Sequence, residues 1–309
     1  MRMKNRLIGL AGCCLLAVVS SASAQQFDEF NCLTGIVYKT VNGEALDMAL
    51  FLPTVKKYEK TPIMIYTHGG GWRGGDKKNI FRPPFFETLQ ILTSNGIACA
   101  AIEYRLTRPG ISTAYDCVVD CKDAARFIVK HANEYGLDPD RMGVWGGSAG
   151  GHLCLMLALA PDELFPGAPE LREAVLHFRC VASYFPATTF IIPEVLVGSN
   201  FENPNRFTSF LGGSYEEKKD LAAKISPAEY LNPSSPPILL LHGDKDQVLS
   251  YKNATYMVDV AKEKGANVEL LTVTNALHSF VGSDICPSIS EINRISAEFI
   301  LKNMTPGRP

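Results

Sequence analysis

The sequence predicts an α/β fold, with a mostly parallel central sheet and helices on both faces. Three observations predict it. From residue 62 onward, apolar runs of strand length alternate with amphipathic runs of helix length. The strand runs at 62–67, 97–102 and 238–242 are almost continuously apolar, as strands covered on both faces are. Residues 25–309 carry no repeat or low-complexity linker and are long enough for a single large core.

Taken in order, residues 1–6 hold three positive charges and no acid, and residues 7–19 are apolar. Ala22-Ser23-Ala24 follows, a small-x-small cleavage site. Residues 1–24 therefore read as a signal peptide, with a mature start at Gln25 and export to the periplasm or the exterior. Leu10-Ala11-Gly12-Cys13 offers a competing lipobox and a lipidated Cys13, but it falls in the middle of the apolar run. No other stretch has the length and apolarity to span a bilayer.

Strands at 34–40 and 45–52 alternate around an Asn42-Gly43 hairpin turn. Next come a strand at 62–67, a helix at 85–94 closed by Asn95-Gly96, and a strand at 97–102. Helical period runs through 112–135 and stops at Gly136. A short strand at 141–145 precedes an apolar helix at 150–160, which ends at Pro161. Strands follow at 180–185, 238–242 and 268–273, with helices at 251–264 and 288–303. Residues 188–233 break the rhythm, with several prolines and glycines and one helical piece near 216–224. They read as a cap inserted in a single domain.

Composition narrows the function. The chain has 30 basic and 32 acidic residues, and loss of Arg2, Lys4 and Arg6 makes the mature protein more acidic. With no basic cluster, nucleic acid and anionic membrane surfaces are poor partners. Seven cysteines remain after residue 24, an odd number, so at least one has no partner within the chain. Cys99 and Cys154 sit in apolar runs and read as packing residues. Cys117 and Cys121 lack neighbouring ligands for a metal site.

The chemistry centres on Gly146-Gly147-Ser148-Ala149-Gly150, set between the strand at 141–145 and the helix at 150–160. A serine at the apex of such a turn has strained backbone angles and a projecting hydroxyl. Gly146 and Gly150 let strand and helix pass closely. Alone, this glycine-rich turn could equally hold a phosphate. A second glycine run, His68-Gly69-Gly70-Gly71-Trp72, leaves the strand at 62–67. Its uncovered N–H groups can approach a substrate oxygen. An oxyanion hole would take donors from Gly69 or Gly70 and from Ala149, each worth about 3 kcal/mol in the transition state.

A serine hydroxyl needs a base, and the base needs an orienting carboxylate. His278 follows the last strand and Asp246 follows the strand at 238–242, both at the edge that bears Ser148. Asp244 competes with Asp246 but comes sooner after its strand, where it could cap the turn. Among the other histidines, His131 and His177 read as surface residues. His68 would hold its loop, His152 would pack or cap, and His242 would be structural.

Together, His68-Gly-Gly-Gly-Trp72, Gly146-Gly-Ser148-Ala-Gly150, His242-Gly-Asp-Lys-Asp246 and His278-Ser-Phe280 resemble the α/β-hydrolase fold. More narrowly, they resemble its exported esterases with an H-G-G-G-W loop, the hormone-sensitive-lipase-like and carbohydrate-esterase enzymes. The extended run from His68 to Lys77 and Glu103-Tyr104-Arg105-Leu106 are most similar to bacterial acetylxylan and feruloyl esterases. Glu103 departs from the Asp often found before Tyr-Arg. The resemblance covers residues 35–302. It implies a secreted serine esterase acting on acylated carbohydrate or small esters, with Ser148 as nucleophile, His278 as base, Asp246 as its partner and no cofactor or metal. Trp72 and Tyr104 are candidate pocket residues. A short-chain carboxylesterase, a serine peptidase and a catalytically dead binding module are the rival readings.

Overall fold

Residues along strand β4 (Thr61–Thr67) separate the molecule into two cores. Ile63 and Ile65 point into one core, Met64 and Tyr66 into the other, as the period of two requires. The computed structural model describes residues 23–26 and 29–305. The proposed leader therefore lies mostly outside the described residues.

Strand β1 (Ser23–Gln26) straddles the predicted cleavage point and pairs antiparallel with β2 (Phe30–Val41). Strands β2 and β3 (Glu44–Pro53) form the expected hairpin, with Asn42 at φ 52° and Gly43 at φ 82° in the turn. After β4 come helix α1 (Phe85–Ser94), strand β5 (Ala98–Ile102) and helix α2 (Ala114–Lys130). The helical run expected over 112–135 breaks at His131, whose ψ of 11° leaves helical geometry. A short helix α3 (Ala132–Tyr135) then ends at Gly136 in the left-handed region. Strand β6 (Leu137–Gly147) is longer than expected because Leu137 pairs back with Thr61.

Helix α4 (Ala149–Leu159) is buried from Ala149 to Leu157, so it is apolar on every side. Strand β7 (Phe178–Tyr184) leads into the segment 188–233. That segment holds three short helices, α5 (Pro193–Leu196), α6 (Asn205–Leu211) and α7 (Lys219–Lys224), where one was expected. The missed α6 has its own signal: Phe207, Phe210 and Leu211 at helical spacing, closed by Gly212 at φ 77°. Strand β8 (Ile238–Gly243), helix α8 (Lys252–Lys264), strand β9 (Val268–Val273) and helix α9 (Ile289–Met304) complete the described chain.

The nine strands lie in the order β1-β2-β3-β5-β4-β6-β7-β8-β9. From β5 to β9 every pairing is parallel, and the hairpin strands at one end are antiparallel. Helices α1 and α9 cover one face; α2, α4 and α8 cover the other. This is the α/β-hydrolase fold. The chain steps from β4 to β5 in one direction and then to β6 in the other. The carboxyl ends of β4 and β6 thus flank the point where strand order reverses, with Thr67 registered against Gly146. Open sheets bind ligands in such a crevice.

Candidate active site

Ser148 sits between β6 and α4 with φ 58° and ψ −121°, a strained conformation for a residue with a side chain. Its turn is pinned from both sides. The Ser148 N–H donates to the Tyr184 carbonyl at 2.9 Å, and the His152 N–H donates to the Ser148 carbonyl at 3.0 Å. The close passage of strand and helix leaves no room for side chains. A Cβ on Gly146 would come within 2.5 Å of the Thr67 carbonyl oxygen, and one on Gly150 would collide with the same carbonyl. Thr67 Oγ1 donates to the Gly150 carbonyl at 2.7 Å and ties α4 to β4.

His278 Nε2 lies 2.9 Å from Ser148 Oγ, and His278 Nδ1 lies 2.7 Å from Asp246 Oδ2. The loops after β6, β8 and β9 thus bring three residues, far apart in sequence, into one hydrogen-bonded chain. Asp246 is saturated. Its Oδ1 accepts the N–H groups of Val248 at 2.8 Å and Leu249 at 3.0 Å. Its Oδ2 also receives His242 Nε2 at 3.2 Å. Burial alone would raise this carboxyl, but the bonds from His242 and His278 outweigh it and hold it well below the usual carboxylate range. Asp246 therefore stays ionised and fixes the proton of His278 on Nδ1. Nε2 is left free to accept the hydroxyl proton. Asp244 takes no part: its Oδ1 is buried without a partner among the described residues. Phe185, at φ 39° just beyond β7, sets its ring 4.8 Å from that of His278 and backs the imidazole.

The glycine loop lies opposite. A Cβ on Gly69 would stand 3.5 Å from Ser148 Cβ, and Gly69 and Gly70 both line the cavity in front of Ser148. Gly70 has φ 129°, and a side chain there would collide with the Gly74 carbonyl. Ala149 opens α4, so its N–H has no carbonyl to bond within the helix. Donors from both loops are available to a developing oxyanion beside Ser148.

His68 holds this loop from behind. Its buried ring stacks on Tyr104 with centroids 4.2 Å apart, and Tyr104 Oη donates to the His68 carbonyl at 2.7 Å. Glu103 receives the Lys77 N–H at 3.1 Å and Lys77 Nζ at 3.2 Å, and lies 3.4 Å from His68 Nε2. Burial opposes its charge, yet His68 and Lys77 bring its carboxyl down to about 2. Glu103, the departure from Asp, thus clasps both ends of the loop.

Tyr104 is not a pocket residue. It is 2% exposed and lines neither cavity at Ser148, because its hydroxyl is committed to the His68 carbonyl. Trp72 does line a small recess of about 50 Å³ beside Ser148, together with Phe201, Phe210 and Leu249. Its Nε1 donates to His152 Nδ1 at 3.1 Å, and His152 Nε2 donates to the Ile225 carbonyl at 2.7 Å. The elbow helix, the glycine loop and the 188–233 segment are joined through this one imidazole. The main cavity, about 440 Å³, also takes in Arg73, Arg82, Asn200 and Arg206. Sequence reading missed these four, because nothing in their local pattern says that separate loops converge. The cysteines stand apart from the site: Cys286 is exposed, the other six described ones are buried, and all are free.

Residues 48–260, more than half of the chain, match the BD-FAE family. The protein belongs to this family. Among relatives of this BD-FAE chain, the esterase LipQ of Mycobacterium tuberculosis is 26% identical over 231 residues, 74% of this chain and 52% of that protein. The probable isoprenylcysteine alpha-carbonyl methylesterase ICME of Oryza sativa is 28% identical over 260 residues, 81% of this chain and 58% of its own length. The chain spans about half the length of the curated relatives it matches. Among solved structures, the butyrate-bound Est2 esterase of Thermogutta terrifontis superposes with a TM-score of 0.71 at 23% identity, covering 93% of this chain and 96% of that one. That likeness bears on the fold.

Proposed function

We propose that this protein is an exported serine esterase that removes short acyl groups, acetyl foremost, from plant polysaccharide such as xylan. The observation that carries the esterase reading is the His278 bridge, 2.9 Å to Ser148 Oγ and 2.7 Å to Asp246. Ser148 Oγ attacks the ester carbonyl while His278 takes its proton. The tetrahedral oxyanion is held by N–H groups of Gly69, Gly70 and Ala149. Collapse expels the alcohol, which receives the proton from His278, and leaves an acyl-enzyme. Water then attacks, with His278 again as base, and releases the acid. No step calls on a cofactor.

The recess of about 50 Å³ beside Ser148 favours a small acyl group over a hydroxycinnamoyl one. The cavity of about 440 Å³ is of the size that holds a sugar-sized ligand. Residues 188–233 act as the cap, since Asn200, Phe201, Arg206 and Phe210 border both spaces or the recess. The leader, residues 1–24, fits an enzyme whose polymer substrate lies outside the cytoplasm. A general short-chain carboxylesterase is the second reading, favoured by relatives whose names carry esterase and methylesterase alone.

The test is hydrolysis of 4-nitrophenyl acetate, ethyl ferulate and acetylated xylan by residues 25–309, beside Ser148→Ala. The proposal expects acetate release from xylan, with kcat about 10⁶-fold lower in the variant. Activity on the small ester alone selects the second reading. Full activity in Ser148→Ala removes the mechanism.

A further inference from the structure

The cavity in front of Ser148 carries charge for which acyl transfer has no use. Arg73, Arg82 and Arg206 line it, and no Asp, Glu or Lys does. This runs against a chain in which acids outnumber bases, 32 to 30. The three come from separate places: Arg73 from the glycine loop, Arg82 from the turn before α1, and Arg206 from α6 in the 188–233 segment. Three more deeply set arginines of the fold are committed. Arg105 binds Asp116 and Asp120, Arg126 binds Asp123, and Arg141 binds Asp138. The guanidinium groups of Arg73, Arg82 and Arg206 have neither an ion pair nor a hydrogen bond among the described residues.

A second observation points the same way. Tyr66, 0% exposed, lines the same cavity, and its hydroxyl has no partner among the described residues. Burial pushes this phenol well above its ordinary range, so it remains a donor. The amide-bearing Asn200 borders the space as well. The wall is therefore rich in uncommitted donors, and its charge is carried by planar forks that match a carboxylate. Arg73 and Arg206 also border the small recess, whereas Arg82 touches only the larger space.

We infer that the cavity selects esters whose alcohol part carries a carboxylate, the chemistry of an acylated uronic acid, with Arg82, confined to the larger space, and Arg73 and Arg206 beside it as its partners. This rests on the esterase reading for the orientation, with the acyl group in the recess and the alcohol in the larger space. Ester hydrolysis moves no charge on that carboxylate, so its role is binding and orientation of the leaving sugar.

The experiment is equilibrium binding to Ser148→Ala of O-acetylglucuronate and O-acetylglucose, which differ only at the carboxylate. The acetylglucuronate is expected to bind about ten- to a hundred-fold more tightly, with the ratio shrinking as salt is added. In Arg73→Gln, Arg82→Gln and Arg206→Gln, checked for folding by circular dichroism, the ratio falls, and in the triple variant it approaches one. Arg73→Lys should recover part of it. A second pair, mono-4-nitrophenyl succinate and 4-nitrophenyl butanoate, places the charge on the acyl side instead. Preference in that pair with parity in the sugar pair overturns the assignment, as does equal binding in both or a preference that survives the triple variant. Because binding is read without turnover, the two proposals fail separately. Turnover by the unmodified enzyme without uronate preference sinks the cavity inference alone. Uronate preference without any ester turnover sinks the esterase reading alone.

Discussion

Replacing Asp246 by Asn tests whether this carboxylate works through the proton of His278. The structure dictates how the amide must sit. Oδ1 accepts two backbone N–H groups, from Val248 and Leu249, so the amide oxygen is drawn to that side. The NH₂ then faces His278 Nδ1 and His242 Nε2. His242 Nε2 keeps its proton because it also donates to the Leu249 carbonyl at 2.8 Å. His278 can escape a donor–donor clash only by moving its own proton to Nε2, toward Ser148. It can then no longer accept the serine proton. The wrong tautomer costs about 10⁴-fold in kcat in the well-studied serine protease triad, or about 5.4 kcal/mol at 1.36 kcal/mol per decade. The assay is kcat and KM for 4-nitrophenyl acetate, with near-normal thermal unfolding as the folding control. Asp244→Asn should leave the rate near that of the unmodified enzyme. An Asp246→Asn variant within ten-fold of the unmodified enzyme, or an Asp244→Asn variant that loses activity, would refute the reasoning.

Three further outcomes are expected. Lys39→Ala removes the cation that bridges the fully buried Asp120 and Asp123 at 2.8 and 2.7 Å, while Arg105 and Arg126 still pair them; unfolding in urea should report a loss of about 2 kcal/mol. Tyr104→Phe removes the bond to the His68 carbonyl and should cost about 1 kcal/mol of stability. KM for small esters should hold steady in that variant, since Tyr104 lines no cavity at Ser148, and a large KM change would restore it to the pocket. His152 is fully buried, and burial lowers it from 6.5 to about 4. Between those values the unfolded chain binds a proton that the folded one refuses, so stability falls as pH drops from about 6.5 to about 4. The fall amounts to about 3 kcal/mol from this group, and His152→Gln should flatten that part of a urea-midpoint profile.

Much of the fold could be read because its signals are local. Continuous apolar strands, glycines after helices and the two glycine loops each name their element within a few residues. The triad was legible for a related reason. A parallel sheet brings the ends of β6, β8 and β9 to one edge, so Ser148, Asp246 and His278 needed only their place after a strand. The choice of Asp246 over Asp244 rested on depth in the loop. Its physical basis, four hydrogen bonds gathered on one carboxylate, involves two backbone N–H groups that no sequence pattern marks.

What escaped the sequence is whatever depends on surfaces meeting. On α2, Asp120, Lys122, Asp123 and Arg126 look like a solvated face, yet each is at most 2% exposed. They are covered because β2 brings Lys39 to Asp120 and Asp123, while Asp162, just beyond α4, reaches Lys122. The same logic governs the cavity. Arg73, Arg82 and Arg206 each read as an ordinary surface arginine, and only the folding of three stretches around Ser148 makes them one cationic wall. Glu103 belongs to this class too: one added methylene lets it reach His68 and Lys77, but that reach has meaning only once β5 lies beside β4. The residues proposed for acyl transfer follow strand ends, so the chain order reveals them. Residues that choose the substrate can come from any loop that reaches the crevice, and their meaning is set by convergence. The same sequence therefore speaks more clearly about the bond to be broken than about the molecule that carries it.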